Sequence, residues 1–409
     1  MSVLRVSRLL TCLMNYQLLQ LSIFSLLALF TFSFKVSGAE NTHSIPRFEK
    51  IGARFFDPHN WYINDVTGMA SAAFPLNANS EGTSHACIIS LDLSHLDENQ
   101  AFEPRFSLIP MPQNTKRIVI RNSGSEISDV YFFGRDFFQF NTVSSTSVLE
   151  NMLRLDKAGK YGDSNFLECS PKRFGNKLAV AFGGKSISTV VQSTSGDLNF
   201  FSQFSFEDQQ TNLWRPVIID SDERQSMVVA NSVSQQNGAF AFQTVLVRLK
   251  NDGSSELLHH LKENTRIAGS AVSTNSGKDY LLLLKLLDDS KIEIGIAEIL
   301  GAGVTLKQLG SAIFQDADAT AYMFLPWSIT SSGDSLVVFS LPNLKFAGKF
   351  DLSDGKWSPK NVVLPKDASV VTAFYKNKAI NVITGVPGKL ATNGFPRLTL
   401  HRFQFIENE

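Results

Sequence analysis

Residues 328–357 read SITSSGDSLVVFSLPNLKFAGKFDLSDGKW, and this stretch decides the fold class. Short runs of apolar or alternating residues are separated by clusters of Ser, Gly, Asp, Pro and Asn, which favour tight turns. The pattern predicts a strand before the Ser-Gly-Asp turn, strands at Ser335–Ser340 and 345–351, and a further turn before Trp357. Consecutive strands joined by such short turns form antiparallel hairpins in series.

The same pattern recurs along the rest of the chain. Residues 268–297 predict strands at 279–287 and 291–297, and only two short segments, 146–155 and 257–263, favour helices. The groups of strands restart about every 50 residues, a period typical of repeated four-stranded sheets. Such sheets bury both faces when they pack side by side in a closed ring. The predicted units begin near Phe48, Ala101, Asn151, Phe204, Asn264, Asp316 and Ala368.

These units predict an all-β fold, a β-propeller with seven blades, with six or five as lower counts. The alternative is a large β-sandwich or two stacked sandwiches. No linker rich in Pro, Gly or charge divides the chain, so residues 48–409 are expected to form a single domain, and residues 40–47 a flexible tether.

The first 39 residues differ in composition from the rest and predict a cleavable signal peptide. They contain Arg5, Arg8 and Lys35, no acidic residue, and an apolar run over residues 18–34. Small residues precede a cleavage site after Ala39. An uncleaved membrane anchor is the alternative, because the apolar run approaches the about 20 residues that cross a bilayer.

The expected mature chain is nearly neutral, with 35 Lys and Arg against 38 Asp and Glu once the three basic residues of the signal are removed. A charge balance of this kind does not favour nucleic acid or an anionic membrane as a partner. No second apolar run is long enough to span a bilayer, so no transmembrane span is expected after cleavage. The chain also contains no Asn-x-Ser/Thr sequon, which favours a bacterial periplasmic or secreted protein.

Two cysteines, Cys87 and Cys169, follow the signal. They are too few for a disulfide scaffold, and a single bond between them is left open.

One segment near the start of the predicted domain offers chemistry. Residues 55–68 read FFDPHNWYINDVTG, and the dipeptides Arg135-Asp136 and Glu168-Cys169 follow later. With one residue inserted and one proline lost, the segment resembles the nucleophile motif of the five-bladed β-fructosidase family of glycoside hydrolases. The resemblance implies a nucleophile at Asp65, a transition-state-stabilising Asp136 and an acid/base Glu168. The alternative is structural: Trp61 and Tyr62 pack in the first blade, and Arg135 and Asp136 pair on a surface.

Other motifs predict no cofactor. The Gly-Gly-Lys-Ser sequence at residues 183–186 lacks the first glycine of a phosphate loop and is expected to be a turn between strands. The seven histidines show no metal-ligand spacing. Acidic residues in predicted turns, such as Asp288 and Asp289, are expected to be solvated.

Two functions therefore remain open from the sequence. The leading hypothesis is an exported binding module for a protein or glycan partner, because no coherent catalytic set accompanies the repeated hairpins. The alternative is an extracellular glycoside hydrolase that uses Asp65, Asp136 and Glu168. Whether the chain is an enzyme is not decided by any motif.

Overall fold

The computed structural model describes the central part of the chain. It covers residues 51–405 except for residues 65–68, 77–84, 94–100, 103, 114, 116, 123–127, 135–136, 144–147, 155–167, 175–176, 193–197, 207–211, 237–238, 262–263, 274, 301–304 and 391–394. The predicted signal peptide and tether therefore lie outside the described residues. Within the described part, no helix is long and apolar enough to cross a membrane.

The described residues form seven antiparallel four-stranded sheets, numbered here in ring order. Two short 3₁₀ segments, Gly52–Phe56 and Pro58–Asn60, precede sheet 1. Sheet 1 is ordered β1-β2-β3-β5, and sheet 2 contains β6 to β9 in sequence. The strands of these two sheets are β1 Trp61–Asn64, β2 Met69–Leu76, β3 His85–Asp92, β5 Arg105–Pro110, β6 Arg117–Asn122, β7 Ser128–Phe133, β8 Phe137–Val143 and β9 Val148–Arg154.

Sheets 3, 4 and 5 each consist of four consecutive strands in sequence order. Sheet 4 contains the long hairpin of β15 and β16, in which twelve residues of each strand are paired. The strands are β10 Glu168–Phe174, β11 Lys177–Gly183, β12 Ile187–Gln192, β13 Leu198–Phe204, β14 Leu213–Ser221, β15 Gln225–Gln236, β16 Ala239–Lys250, β17 Ser255–Leu261, β18 Thr265–Val272, β19 Asp279–Asp288, β20 Lys291–Leu300 and β21 Thr305–Gln315.

Sheets 6 and 7 complete the set, and a one-turn helix α1, Ala319–Tyr322, precedes sheet 6. Sheet 7 takes its outer strand from a distant part of the chain, because Leu398 of β28 pairs with Phe102 of β4. This pairing ties the end of the described chain to the segment between β3 and β5. The strands are β22 Trp327–Ser332, β23 Ser335–Ser340, β24 Ala347–Asp351, β25 Trp357–Pro359, β26 Ser369–Lys376, β27 Ala379–Leu390, β28 Pro396–Gln404 and β4 Ala101–Phe102.

The sheets form a closed ring because apolar cores join each one to the next. Buried side chains connect sheets 1 and 2, sheets 3 and 4, sheets 4 and 5, sheets 5 and 6, sheets 6 and 7, and sheets 7 and 1. Between sheets 2 and 3, the ring centroids of Phe133 and Phe182 are 5.8 Å apart. Both faces of each sheet are thus buried between neighbours. This confirms the predicted all-β propeller, and the number of described sheets equals the seven predicted units. The closed ring is not the sandwich that was the alternative.

The two predicted helices are wrong. Residues 146–155 contain strand β9, and residues 257–263 overlap strand β17. Both strands lie at the outer edge of a sheet, where each pairs with only one neighbour, β8 or β16. Pairing with that neighbour overrides a local pattern that favours a helix.

Candidate functional site

The inner strands of the ring contact one another. The first strand of each sheet lies on the inside, and β1, β6, β10 and β14 contact one another in series, as do β18 with β22 and β26 with β1. Residues at or near the beginnings of β1, β6, β10 and β14 line one pocket, and this end of the ring is here called the mouth. The connections that enter each sheet meet at the mouth, so side chains distant in sequence converge there.

A pocket of about 340 Å³ opens at the mouth between sheets 1 to 4. Three arginines are among the residues that line it, Arg54, Arg117 and Arg215. None of the lining residues that the structure describes is Asp or Glu. The described lining residues therefore carry a formal charge of +3, whereas the expected mature chain is nearly neutral. Asn60, Tyr62, Thr115 and Ser170 are the uncharged polar residues of the described lining, and the other lining residues are mainly apolar.

The segment before β1 holds Arg54 at the mouth. Phe55 is fully buried, and its carbonyl oxygen accepts a hydrogen bond from the indole Nε1 of Trp61 at 2.9 Å. The side-chain amide of Asn60 donates to the carbonyl oxygen of Arg54 at 3.0 Å. These bonds hold the carbonyl groups of Arg54 and Phe55 in place. The side chain of Arg54 is exposed, and its Nε donates to the carbonyl oxygen of Ile51 at 3.4 Å.

A β-bulge in β14 presents Arg215. Trp214 pairs with Asn231 but Val217 pairs with Val229, so β14 has one extra residue between these pairs. Pro216 cannot donate a ladder hydrogen bond, which favours an irregularity at this point. Arg215 has φ of 51°, a left-handed conformation that is unfavourable for a residue with a side chain. Bulges and strained residues of this kind often orient a functional side chain.

The loop between α1 and β22 lies against this bulge. The Nη2 atom of Arg215 donates to the carbonyl oxygen of Phe324 at 2.9 Å. The buried guanidinium of Arg266, on β18, donates from Nη1 to the carbonyl oxygens of Met323 and, at 3.1 Å, Leu325. Sheets 4, 5 and 6 are therefore connected through backbone carbonyls at the mouth.

Two residues beyond Ser170 along β10, Lys172 binds sheets 3 and 4 together. Its ammonium group donates to the carbonyl oxygens of Ile218 and Ile219 at 3.1 and 3.0 Å. Burial lowers the pKa of Lys172, while Asp279 and Asp220 act in the opposite direction. Burial also raises the pKa of Asp279. We interpret this group of charges as a structural link between sheets.

Of the three predicted catalytic residues, the structure describes only the backbone of Glu168. Asp65 and Asp136 lie outside the described residues. Glu168 is the first residue of β10, and its backbone pairs with that of Gly183. It therefore begins the strand whose Ser170 lines the pocket.

The structure agrees with the expected packing role of Trp61, which is buried in the first sheet. Tyr62 is half-buried, and both Trp61 and Tyr62 line the pocket.

The Gly-Gly-Lys-Ser sequence is a turn between β11 and β12, as predicted. A Cβ atom on Gly183 would lie 2.7 Å from the carbonyl oxygen of Leu213, so this glycine allows β11 to approach β14. Among the described residues, no group of His, Cys, Asp and Glu is arranged to hold a metal ion. Cys87 is a buried free thiol, and burial raises its pKa to about 12.

The three pocket arginines are not among the site residues predicted from the sequence. One signal was available: Trp214-Arg215-Pro216 places a proline inside a strand, which indicates a bulge and a reoriented neighbour. Arg54 and Arg117 carry no comparable signal, because they reach the pocket only through the closure of the ring.

No protein-family model matches the chain, and no curated protein matches it. Solved structures with a partly similar backbone fold have low sequence identity to this chain. Polysaccharide lyase Uly1 is 9% identical with a TM-score of 0.45, over 91% of this chain and 94% of that one. A proposed 6-phosphogluconolactonase from Bacteroides uniformis is 11% identical with a TM-score of 0.45, over 74% and 83%.

The GH93 α-L-arabinofuranosidase of Fusarium graminearum is 9% identical with a TM-score of 0.39, over 71% of this chain and 95% of that one. All three scores are too low to carry a functional argument. The assignment of the propeller fold rests on the sheet order and on the contacts that close the ring.

Proposed function

We propose that this chain is an exported binding module that holds an anionic group of its glycan or protein partner in the mouth pocket. The observation that carries the proposal is the convergence of Arg54, Arg117 and Arg215 on one pocket. Guanidinium groups bind carboxylates and phosphates through paired, charge-assisted hydrogen bonds. The strained backbone of Arg215 supports a role in binding, because such conformations concentrate at functional sites.

The test is the affinity for two small anionic probes, galacturonate and a hexaglutamate peptide, measured by calorimetry at low and high salt. We expect at least one probe to bind, and Arg117→Gln to weaken that binding about tenfold, as the loss of one charged hydrogen bond implies. Binding should also weaken as salt is raised. The matched control is Arg105→Gln, at an exposed arginine on β5 that does not line the pocket.

Two results would contradict the proposal. One is that neither probe binds to the unmodified protein. The other is that Arg117→Gln and Arg105→Gln weaken binding equally, which would indicate attraction to the surface charge in general.

Export is the second part of the proposal, supported by the basic, apolar and small-residue segments at residues 1–39. Expression of the full chain with its leader should yield a secreted or periplasmic protein whose first residue is Glu40. An intact leader found in a membrane fraction would favour the anchor instead.

A glycoside hydrolase is the second candidate. It is supported by one observation, the position of Glu168 at the start of β10, two residues before the pocket-lining Ser170. If Glu168 is the acid/base, Glu168→Gln should lower glycoside turnover by a factor of about 10² to 10⁴. Turnover that survives both this change and Asp65→Asn would remove this candidate.

A further inference from the structure

Phe324 forms an aromatic surface beside the pocket. It follows α1 in the loop that leads into sheet 6, and 37% of its surface is exposed. Its carbonyl oxygen accepts a hydrogen bond from Arg215, which itself lines the pocket. The loop that carries Phe324 and the arginine-lined pocket are therefore neighbours at the mouth.

The backbone of this loop is held in place on three successive residues. Arg266 donates to the carbonyl oxygens of Met323 and Leu325, and Arg215 donates to that of Phe324 between them. Arg266 is only 2% exposed, so both of its bonds are shielded from water. A buried cation that spans two carbonyl groups restricts the loop to one conformation.

The ring of Phe324 is also oriented by aromatic neighbours. It is stacked on Trp214 with centroids 6.5 Å apart and planes 22° apart. It meets the buried ring of Phe242 edge to face at 5.0 Å. The guanidinium carbons of Arg215 and Arg266 lie 4.8 and 5.3 Å from the centroid of Trp214. Phe324 thus presents a partly exposed ring on a rigid support, and little conformational entropy remains to be lost when a ligand covers it.

We propose that the ligand of this site is an acidic oligosaccharide, with a carboxylate-bearing sugar in the arginine pocket and a neighbouring sugar ring on Phe324. This inference rests on the proposed anion-binding function and assigns its ligand class. The pocket, about 340 Å³, lies near the lower limit for small-molecule sites, so a longer chain extends over the rim. The apolar face of a sugar ring packs on an aromatic ring.

The uncharged part of the pocket favours a sugar over a peptide. Asn60 contributes an amide, and Tyr62 and Ser170 contribute hydroxyl groups close to the arginines. Amide and hydroxyl groups can both donate and accept, which suits the many hydroxyl groups of a sugar ring. Arg215 lies between the two parts of the site, since it lines the pocket and bonds to the backbone of Phe324.

The experiment measures affinity by calorimetry for uronate oligosaccharides of one to six units, prepared from polygalacturonate, hyaluronan and alginate. The unmodified protein is compared with Phe324→Ala and with Leu257→Ala. Leu257 is a matched control because it is an apolar residue with 43% exposure on the outer strand β17. A hexaglutamate peptide serves as the acidic non-sugar probe.

We expect affinity for at least one uronate series to rise with chain length. Phe324→Ala should reduce the affinity for the longer chains about tenfold and leave single uronates unchanged, because only the longer chains reach the ring. Leu257→Ala should change neither.

Three results would overturn this inference. If single uronates bind but affinity neither rises with length nor depends on Phe324, the ligand assignment fails while the anion-binding function stands. If hexaglutamate binds more tightly than every uronate chain, the partner is an acidic peptide. If no anionic probe binds, the proposed function fails as well.

Discussion

Replacing Arg266 with Met should destabilise the protein and loosen the loop that carries Phe324. The guanidinium of Arg266 is buried and donates to the carbonyl oxygens of Met323 and Leu325, from sheet 5 to the entrance of sheet 6. Methionine fills much of the same volume but cannot donate a hydrogen bond. Both carbonyl oxygens would lose this donor.

The magnitude follows from opposing contributions. Two hydrogen bonds to a charged group are worth roughly 3 to 6 kcal/mol together, and the cation over the ring of Trp214 adds about 1 kcal/mol. Part of this loss is offset, because methionine carries no charge and the variant therefore avoids the desolvation penalty of a buried guanidinium. A net loss of about 3 kcal/mol in the free energy of unfolding is expected, equivalent to a Tm lower by roughly 5 °C in a domain of this size.

Urea unfolding and thermal melting of the mature protein measure this change. Arg248→Met is the control, because the Nη1 atom of Arg248 pairs at 2.8 Å with Glu256, whose side chain is 49% exposed. A partly exposed pair of this kind should contribute less than about 1 kcal/mol. The gain in affinity with oligosaccharide length should also disappear in Arg266→Met, while single uronates still bind. Equal stabilities for the two variants, together with an intact length dependence, would refute the role assigned to Arg266.

Three further predictions test the packing and the turns. Gly183→Ala should lower the free energy of unfolding, measured in urea, by about 1 to 3 kcal/mol, because the new Cβ would press on the backbone of β14. Gly295→Ala should lower it by less, because a Cβ there makes only ordinary contacts. Equal losses in the two variants would contradict this. Cys87, with its pKa raised to about 12, should resist alkylation at pH 8 until the protein is unfolded, and rapid labelling of the native protein would show that the thiol is accessible. Ser254→Ala should raise the pKa of Asp252, because the serine hydroxyl, 2.6 Å from its Oδ1, is the main cause of its lowered value. The pKa of Asp252 is lower in the folded protein than in the unfolded chain, so its charged form stabilises the fold above about pH 4, and this contribution is lost as the pH falls further. An unchanged titration of Asp252 by NMR in Ser254→Ala would contradict this prediction.

The hairpins of the later sheets were predictable because each strand forms locally. Strand β23, Ser335–Ser340, has the predicted bounds, and β19 and β20 begin at the predicted residues 279 and 291. Turn residues and period-two patterns act over only a few neighbours in the chain. The outer strands β9 and β17 were missed because pairing with a neighbouring strand, which a short sequence pattern does not contain, decides their structure.

The candidate site could be predicted only in small part. Among the residues singled out in advance, Trp61 and Tyr62 line the pocket, and Glu168 begins a strand that contributes to it. Arg54, Arg117 and Arg215 are separated by 63 and 98 positions in the numbering of the chain and belong to different structural units. What brings them together is the closure of the ring, which depends on cores between sheets and not on local sequence.

The bulge in β14 would couple the proposed binding to the geometry of the ring. Arg215 would follow the regular alternation of the strand if the register between Trp214 and Val217 were unbroken. The extra residue breaks this alternation at a residue that lines the pocket, and the hydrogen bond from Arg215 to Phe324 makes its position depend on the loop before sheet 6. A ligand that binds Arg215 therefore stabilises the packing of sheets 4 and 6 as well, and it should raise the free energy of unfolding by an amount that grows with its concentration above Kd. In Arg266→Met, ligand binding would also have to order the loop that carries Phe324, which lowers the affinity. The same ligand concentration should therefore raise the free energy of unfolding of this variant by less.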